Sequence, residues 1–126
     1  MRPLVLLLIT ALSFASPRVN AGGQPGSFFL SSCEAVIRAQ EGQHLPTEGM
    51  MGATFCAAYV SGFLDSMSNT PGAPDATGVC FPEPGVSDEQ AIHALVKYLR
   101  ENPKTLNRPG RTSLMPALKK AFPCKE

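Results

Sequence analysis

Apolar residues recur at three- and four-residue intervals in four stretches of this chain, and nowhere do they alternate with polar ones at the period of two that marks a half-buried strand. The first stretch predicts a helix from about Ser27 to Gln40, with Phe29, Leu30, Cys33, Val36 and Ile37 on one side and Gly42 as its stop. Ser31-Ser32-Cys33-Glu34 reads as a capping box and offers a later start for the same helix. The second predicted helix runs from about Thr47 to Met67, with Ala53, Cys56, Val60, Phe63 and Met67 as its inward stripe. Gly52 and Gly62 are expected where a neighbouring helix comes close, because glycine lowers helix propensity and close packing offsets that loss. Tyr59 and Gly62 are therefore expected to serve the core rather than a partner.

The third helix begins after Ser87, whose pairing with Gln90 is a capping box, turns Ile92, Leu95, Val96 and Leu99 inward, and ends before Asn102-Pro103. The fourth runs from about Thr112 to Phe122, accommodates Pro116 near its first turn, and directs Leu114, Ala117, Leu118, Ala121 and Phe122 inward. The fold class is thus all-α, a small bundle of about four helices in two hairpins. Between the second and third helices lie the 18 residues Ser68 to Gly85, rich in proline and glycine and longer than a compact domain carries as a mere connection.

Four cysteines sit on this layout. Cys33 and Cys56 are each about 11 residues from the turn near His44 and Leu45, so in an antiparallel hairpin they lie level and can bridge. Cys80 precedes the third helix and Cys124 follows the fourth, which places both at the open end of the second hairpin. Four cysteines allow three pairings, and Cys33–Cys56 with Cys80–Cys124 requires no crossing. Each bridge would stabilise the fold by roughly 3 to 4.5 kcal/mol on the loop-entropy account. Zinc is disfavoured, since the spacings of 22, 23 and 43 intervening residues contain no C-x-x-C pair and both histidines stand alone.

The chain opens with Arg2, an apolar run from Leu4 to Ala15 and small residues at Val19-Asn20-Ala21, the pattern of an export signal cut after Ala21. The run of 12 residues is shorter than the roughly 20 that a membrane span needs, and no membrane anchor is expected once the signal is removed. Residues 22–126 then form a single helical domain in the oxidising periplasm, where disulfides persist. Its charge is unevenly placed: Gly22 to Gln90 carries eight acidic residues against Arg38 alone, and Ala91 to Glu126 carries eight basic residues against Glu101 and Glu126. This polarity lets the halves attract each other and offers an acidic face to a basic partner. Export and the lack of aromatics among the basic residues argue against nucleic acid.

No catalytic constellation emerges. His44 reads as a turn residue and His93 as a surface residue beside an apolar stripe, while Glu34, Asp65, Asp88 and Glu89 read as solvated faces and caps. The chain contains no G-x-S-x-G, glycine-rich phosphate loop or H-E-x-x-H. It is read as a binding protein, not an enzyme, with no cofactor and no metal.

A specific resemblance follows from ordered motifs: Cys56-Ala57-Ala58-Tyr59-Val60-Ser61-Gly62-Phe63-Leu64-Asp65, then Cys80-Phe81-Pro82 leading into Gly85-Val86-Ser87, then Tyr98-Leu99 with Pro103, and Ala117-Leu118 with Ala121-Phe122-Pro123-Cys124. The chain resembles the Rap/Tai family, periplasmic immunity proteins that neutralise type VI secretion amidase effectors. Glu83-Pro84 adds one residue to the family's pattern between the Cys-x-Pro element and the glycine. The resemblance implies an inhibitor that covers or plugs the cleft of a peptidoglycan amidase with a cysteine and a histidine in its active site. The partner is then that effector protein, with room left for a homodimer. On this reading Ser68 to Val79 is the inhibitory segment, and Asn69 and Asp75 are the partner-binding residues, Asp75 being placed to face a catalytic histidine. The rival reading is a periplasmic acid or stress chaperone, or a structural helical protein without a toxin partner.

Overall fold

The computed structural model describes residues 23–125, so the expected export signal, 1–21, lies outside the described residues. Five α-helices follow one another: α1 (Gly26–Gln40), α2 (Thr47–Ser68), α3 (Ala73–Thr77), α4 (Asp88–Glu101) and α5 (Leu114–Ala121), with short 3-10 turns at Pro103–Thr105 and Gly110–Thr112. No strand occurs among the described residues; two isolated bridges, Pro25 with Pro109 and Val79 with Pro123, are the only extended pairings.

Helix α1 starts well before the Ser31 capping box. Its first N–H groups, which have no partner inside a helix, are taken up by another part of the chain: Gly26 N–H donates to Arg108 O at 2.8 Å and Ser27 N–H to Leu106 O at 3.0 Å. With that end satisfied by tertiary contacts, Ser31 uses its hydroxyl on Phe28 O instead. The approach requires Gly26, because a Cβ there would run into the Thr105 carbonyl. Gly42, at φ 79°, turns the chain into α2. Helix α4 has the capping box its sequence predicts, with Gln90 N–H on Ser87 Oγ and Ser87 N–H on Gln90 Oε1. Helix α5 begins two residues later than expected, because Gly110–Thr112 winds into a 3-10 turn first.

The inward faces meet in one core. Phe29, Cys33, Cys56, Val60, Leu64, Leu95, Leu99, Leu114 and Leu118 are all buried in it. Phe28, Phe29, Phe55 and Tyr59 pack edge-to-face across α1 and α2, with Phe29 and Tyr59 centroids 4.9 Å apart. The Phe29 ring rests directly on Gly110, which has no side chain to obstruct it. Burial pushes the Tyr59 hydroxyl pKa up, opposed by the Arg111 charge nearby. Tyr59 is thus a packing residue, as its position predicts.

Gly52 and Gly62 separate in kind. A Cβ at Gly52 would lie 3.4 Å from the Ser32 Cα and 3.2 Å from its Oγ, so here α1 and α2 do approach through a glycine. At Gly62 a Cβ would meet nothing within 4 Å, and the residue is exposed. The expected close contact at Gly62 is overturned: the α2 surface turned toward the core passes through Val60 and Leu64, and Gly62 lies on the opposite side. Ala121, expected inward, is exposed at the end of α5.

Candidate partner-binding surface

Both predicted disulfides are present, Cys33–Cys56 and Cys80–Cys124, with Cα atoms 5.2 and 4.7 Å apart. The first locks α1 to α2 within the core. The second holds the segment between α2 and α4 against the C-terminal tail. Around it Cys80 N–H donates to Phe122 O at 2.9 Å, Cys124 N–H donates to Gly78 O at 3.3 Å, and the Phe81 and Phe122 rings meet edge-to-face.

Residues 68–85, read from sequence as an irregular loop, contain a turn of helix. Asn69 ends α2: its backbone N–H and its side-chain Nδ2 both donate to Asp65 O, at 3.0 and 2.8 Å. Thr70 Oγ1 donates to Ser66 O, and Gly72, at φ 76°, reverses the chain into α3. Ala73 and Val79 are buried and serve as anchors, and Gly78 closes α3 by donating to Pro74 O at 2.8 Å. Lys119 lies over Gly78, its Cε close to where a Cβ would stand. Asn69 and Asp75 are both exposed, Asp75 in the first turn of α3, and no hydrogen bond joins them. Asn69 therefore carries a helix-ending role that the sequence reading did not give it.

The charge polarity is spent only slightly inside the molecule. Glu34 with Arg100, at 2.7 Å, is the one ion pair between the two halves among the described residues; Lys120 with Glu101, also 2.7 Å, lies within the basic half. The Lys120 hydrogen bond holds the Glu101 carboxyl below its ordinary pKa. Glu34, Arg38, His93, Lys97, Arg100 and Glu101 line the groove between α1 and α4 over a floor that includes Ile37 and Val96. Both signs alternate around it, as on a solvated surface.

The face that sequence reasoning missed is the outside of α2. Met50 and Met51 stand exposed there, followed along the helix by Thr54, Ala58, Gly62 and Asp65. The available signal was the uncharged run from Gly49 to Leu64, too long for one inward stripe to use.

A family profile described as Rap1a immunity proteins matches residues 26–124, from the first residue of α1 to the last bridged cysteine. The chain belongs to this family. Neither a curated protein nor a solved structure matches it. As a Rap1a immunity protein it gives immunity to a secreted effector, and its cognate partner is that effector protein. The matched region holds all five helices and both bridges, so the disulfide frame belongs to the immunity domain itself. Such bridges fit an oxidising compartment outside the cytoplasm. Among the described residues no helix is long and apolar enough to cross a membrane, and no group of three or more His, Cys, Asp or Glu side chains is placed to hold a metal ion.

Proposed function

We propose that the chain is a periplasmic immunity protein that binds a type VI secreted peptidoglycan amidase and blocks its active site, acting as an inhibitor and not as an enzyme. In this reading the signal 1–21 is removed on export and 22–126 act as one domain. The observation that carries it is the construction of the segment from Ser68 to Val79. Its ends are fixed by the α2 terminus and by the Cys80–Cys124 bridge, while Asn69 and Asp75 remain exposed between them. A segment ordered before binding loses less entropy when it enters a cleft. Asp75 is the only charged side chain between Ser66 and Val79, and so the one group there able to meet a catalytic histidine.

The test uses Asp75→Lys and not a whole-loop replacement, because a replacement would also remove the Ala73 anchor and the Asn69 hydrogen bonds. Inhibition of the cognate amidase is expected to weaken by at least about 30-fold, the scale of a hot spot of about 2 kcal/mol. Helical content and melting temperature should not change. Full potency in this variant would remove the segment from the inhibitory surface.

A further inference from the structure

Every residue from Gly49 to Leu64 is uncharged. That run exceeds four helical turns. A helix that is apolar all round is ordinarily buried all round, yet α2 is not. Cys56, Val60 and Leu64 face the core, while on the other side Met51 is 69% exposed and Met50 51%; these two are the only exposed large apolar side chains among the described residues. With Thr47, Thr54 and Phe55 they line a shallow depression of about 470 Å³. Farther along the same side come Ala58 and then Gly62, where nothing stands within 4 Å of a Cβ position, and then Asp65. The outward strip is thus hollow and lined by methionine at one end, with Glu48 exposed in the first turn beside it, flat in the middle and acidic again at Asp65.

Charge decides what covers it. A second copy packed across a two-fold axis would set α2 against its own duplicate. Thr47–Ser68 contains no lysine, arginine or histidine, so each Asp65 would be covered without a counter-charge from the facing helix. The carbonyl end of α2, without a basic residue in its last turn, deepens the negative potential there. A surface that brings its own cation has no such penalty. Met51 and Asp65 are 14 residues apart, which is about 21 Å along the helix.

We propose that the outer face of α2 is a docking surface for a non-self protein. The facing surface carries an apolar protrusion that seats against Met50, Met51 and Phe55, and a lysine or arginine about 21 Å away that meets Asp65. The identity of that protein as the amidase rests on the function proposed above; the chemistry of the face does not.

The experiment measures binding of the mature chain to the purified cognate amidase by calorimetry, with sedimentation of each variant alone. Ala58→Arg, at an exposed helical position, should keep the melting temperature and weaken binding by at least about 30-fold. Asp65→Lys should weaken it too and flatten its dependence on salt, and a carboxylate in place of the facing cation on the amidase should restore it. If Ala58→Arg binds as tightly as the natural chain while Asp75→Lys loses inhibition, the α2 face is overturned and the amidase reading stands. If the free chain sediments as a dimer that Ala58→Arg dissociates, the face belongs to a second copy and the proposal fails. If the natural chain does not bind the amidase at all, the amidase reading fails. Photo-cross-linking in cells from position 58, with position 97 on α4 as reference, then decides the face. An identified exported protein whose cation rescues Asp65→Lys by charge exchange upholds it, and self-adducts or a yield no higher than at position 97 overturn it.

Discussion

Helices α2 and α4 both lie against α1 and against each other, and their inner faces do the same work. Helix α4 buries Ala91, Ile92, Leu95, Val96 and Leu99; α2 buries Cys56, Val60 and Leu64. Their outer faces have nothing in common. α4 shows water Glu89, His93, Lys97, Arg100 and Glu101, whereas α2, after Glu48 in its first turn, shows it two methionines, an alanine and a glycine before the next charge at Asp65. Folding accounts for the whole of α4, inside and out. It accounts for only half of α2, and the exposed half is the face proposed above for docking.

The sharpest way to break this comparison is at the inner faces. Leu95→Ala on α4 and Leu64→Ala on α2 should each lower the unfolding free energy by about 2–5 kcal/mol, with Leu95, the more completely buried, at the upper end. Denaturant unfolding checks both. An unchanged midpoint for Leu64→Ala would mean that α2 does not share the core, and the contrast between its two sides would lose its meaning.

A smaller effect separates the two glycines of α2. Gly62→Ala adds a methyl group into open space and removes a helix-weakening residue, so it should raise stability by up to about 1 kcal/mol. Gly52→Ala should gain nothing, because its methyl group meets Ser32 of α1. Melting temperatures of the two variants measure the difference, and a loss at Gly62 would return that residue to the interior.

The smallest effect concerns the charged face of α4. The Lys120 hydrogen bond lowers the Glu101 pKa in the folded chain, so whatever this pair contributes is present above the ordinary carboxylate range and lost as the pH falls through it. In Lys120→Ala the Glu101 pKa should move up when titrated by NMR. The melting temperature at neutral pH should barely change, since the pair is exposed and screened. A clear drop would make the α4 surface a structural element instead of a solvated one.

Much of this was legible in the chain. The α4 limits, its capping box and both disulfide pairings follow from local rules, because helical spacing and level placement are set by residues close in sequence or by one hairpin. What was not legible depended on distant segments. The start of α1 lies within a residue of its expected place, but its partners were hidden: the carbonyls of Arg108 and Leu106 accept the free N–H groups of Gly26 and Ser27, a contact no local pattern announces. Gly62 was misplaced because it was turned inward on its residue type alone, whereas two residues of helix carry it about 200° around from Val60, away from the inward stripe. The loop expected from Ser68 to Gly85 hid α3, whose five residues are too few for any periodic signal and are held by Ala73 and the bridge. Asn69 and Asp75 are both exposed; that Asn69 also finishes α2 needed the geometry.

The stitching at the open end has a further consequence. It runs through backbone atoms of Gly78, Cys80, Phe122 and Cys124 and through one disulfide, so it depends little on which side chains fill the eight positions from Thr70 to Thr77, beyond the glycine at Gly72 and a small residue at Ala73. Loop tips closed in this way tolerate substitution and insertion while the scaffold stays folded. On the inhibitory role proposed above for this segment, a toxin that changes its surface to escape neutralisation can be answered by rewriting this short stretch. The rate at which such a lineage can change its specificity is then set by mutation within a few codons and not by the search for a new stable protein.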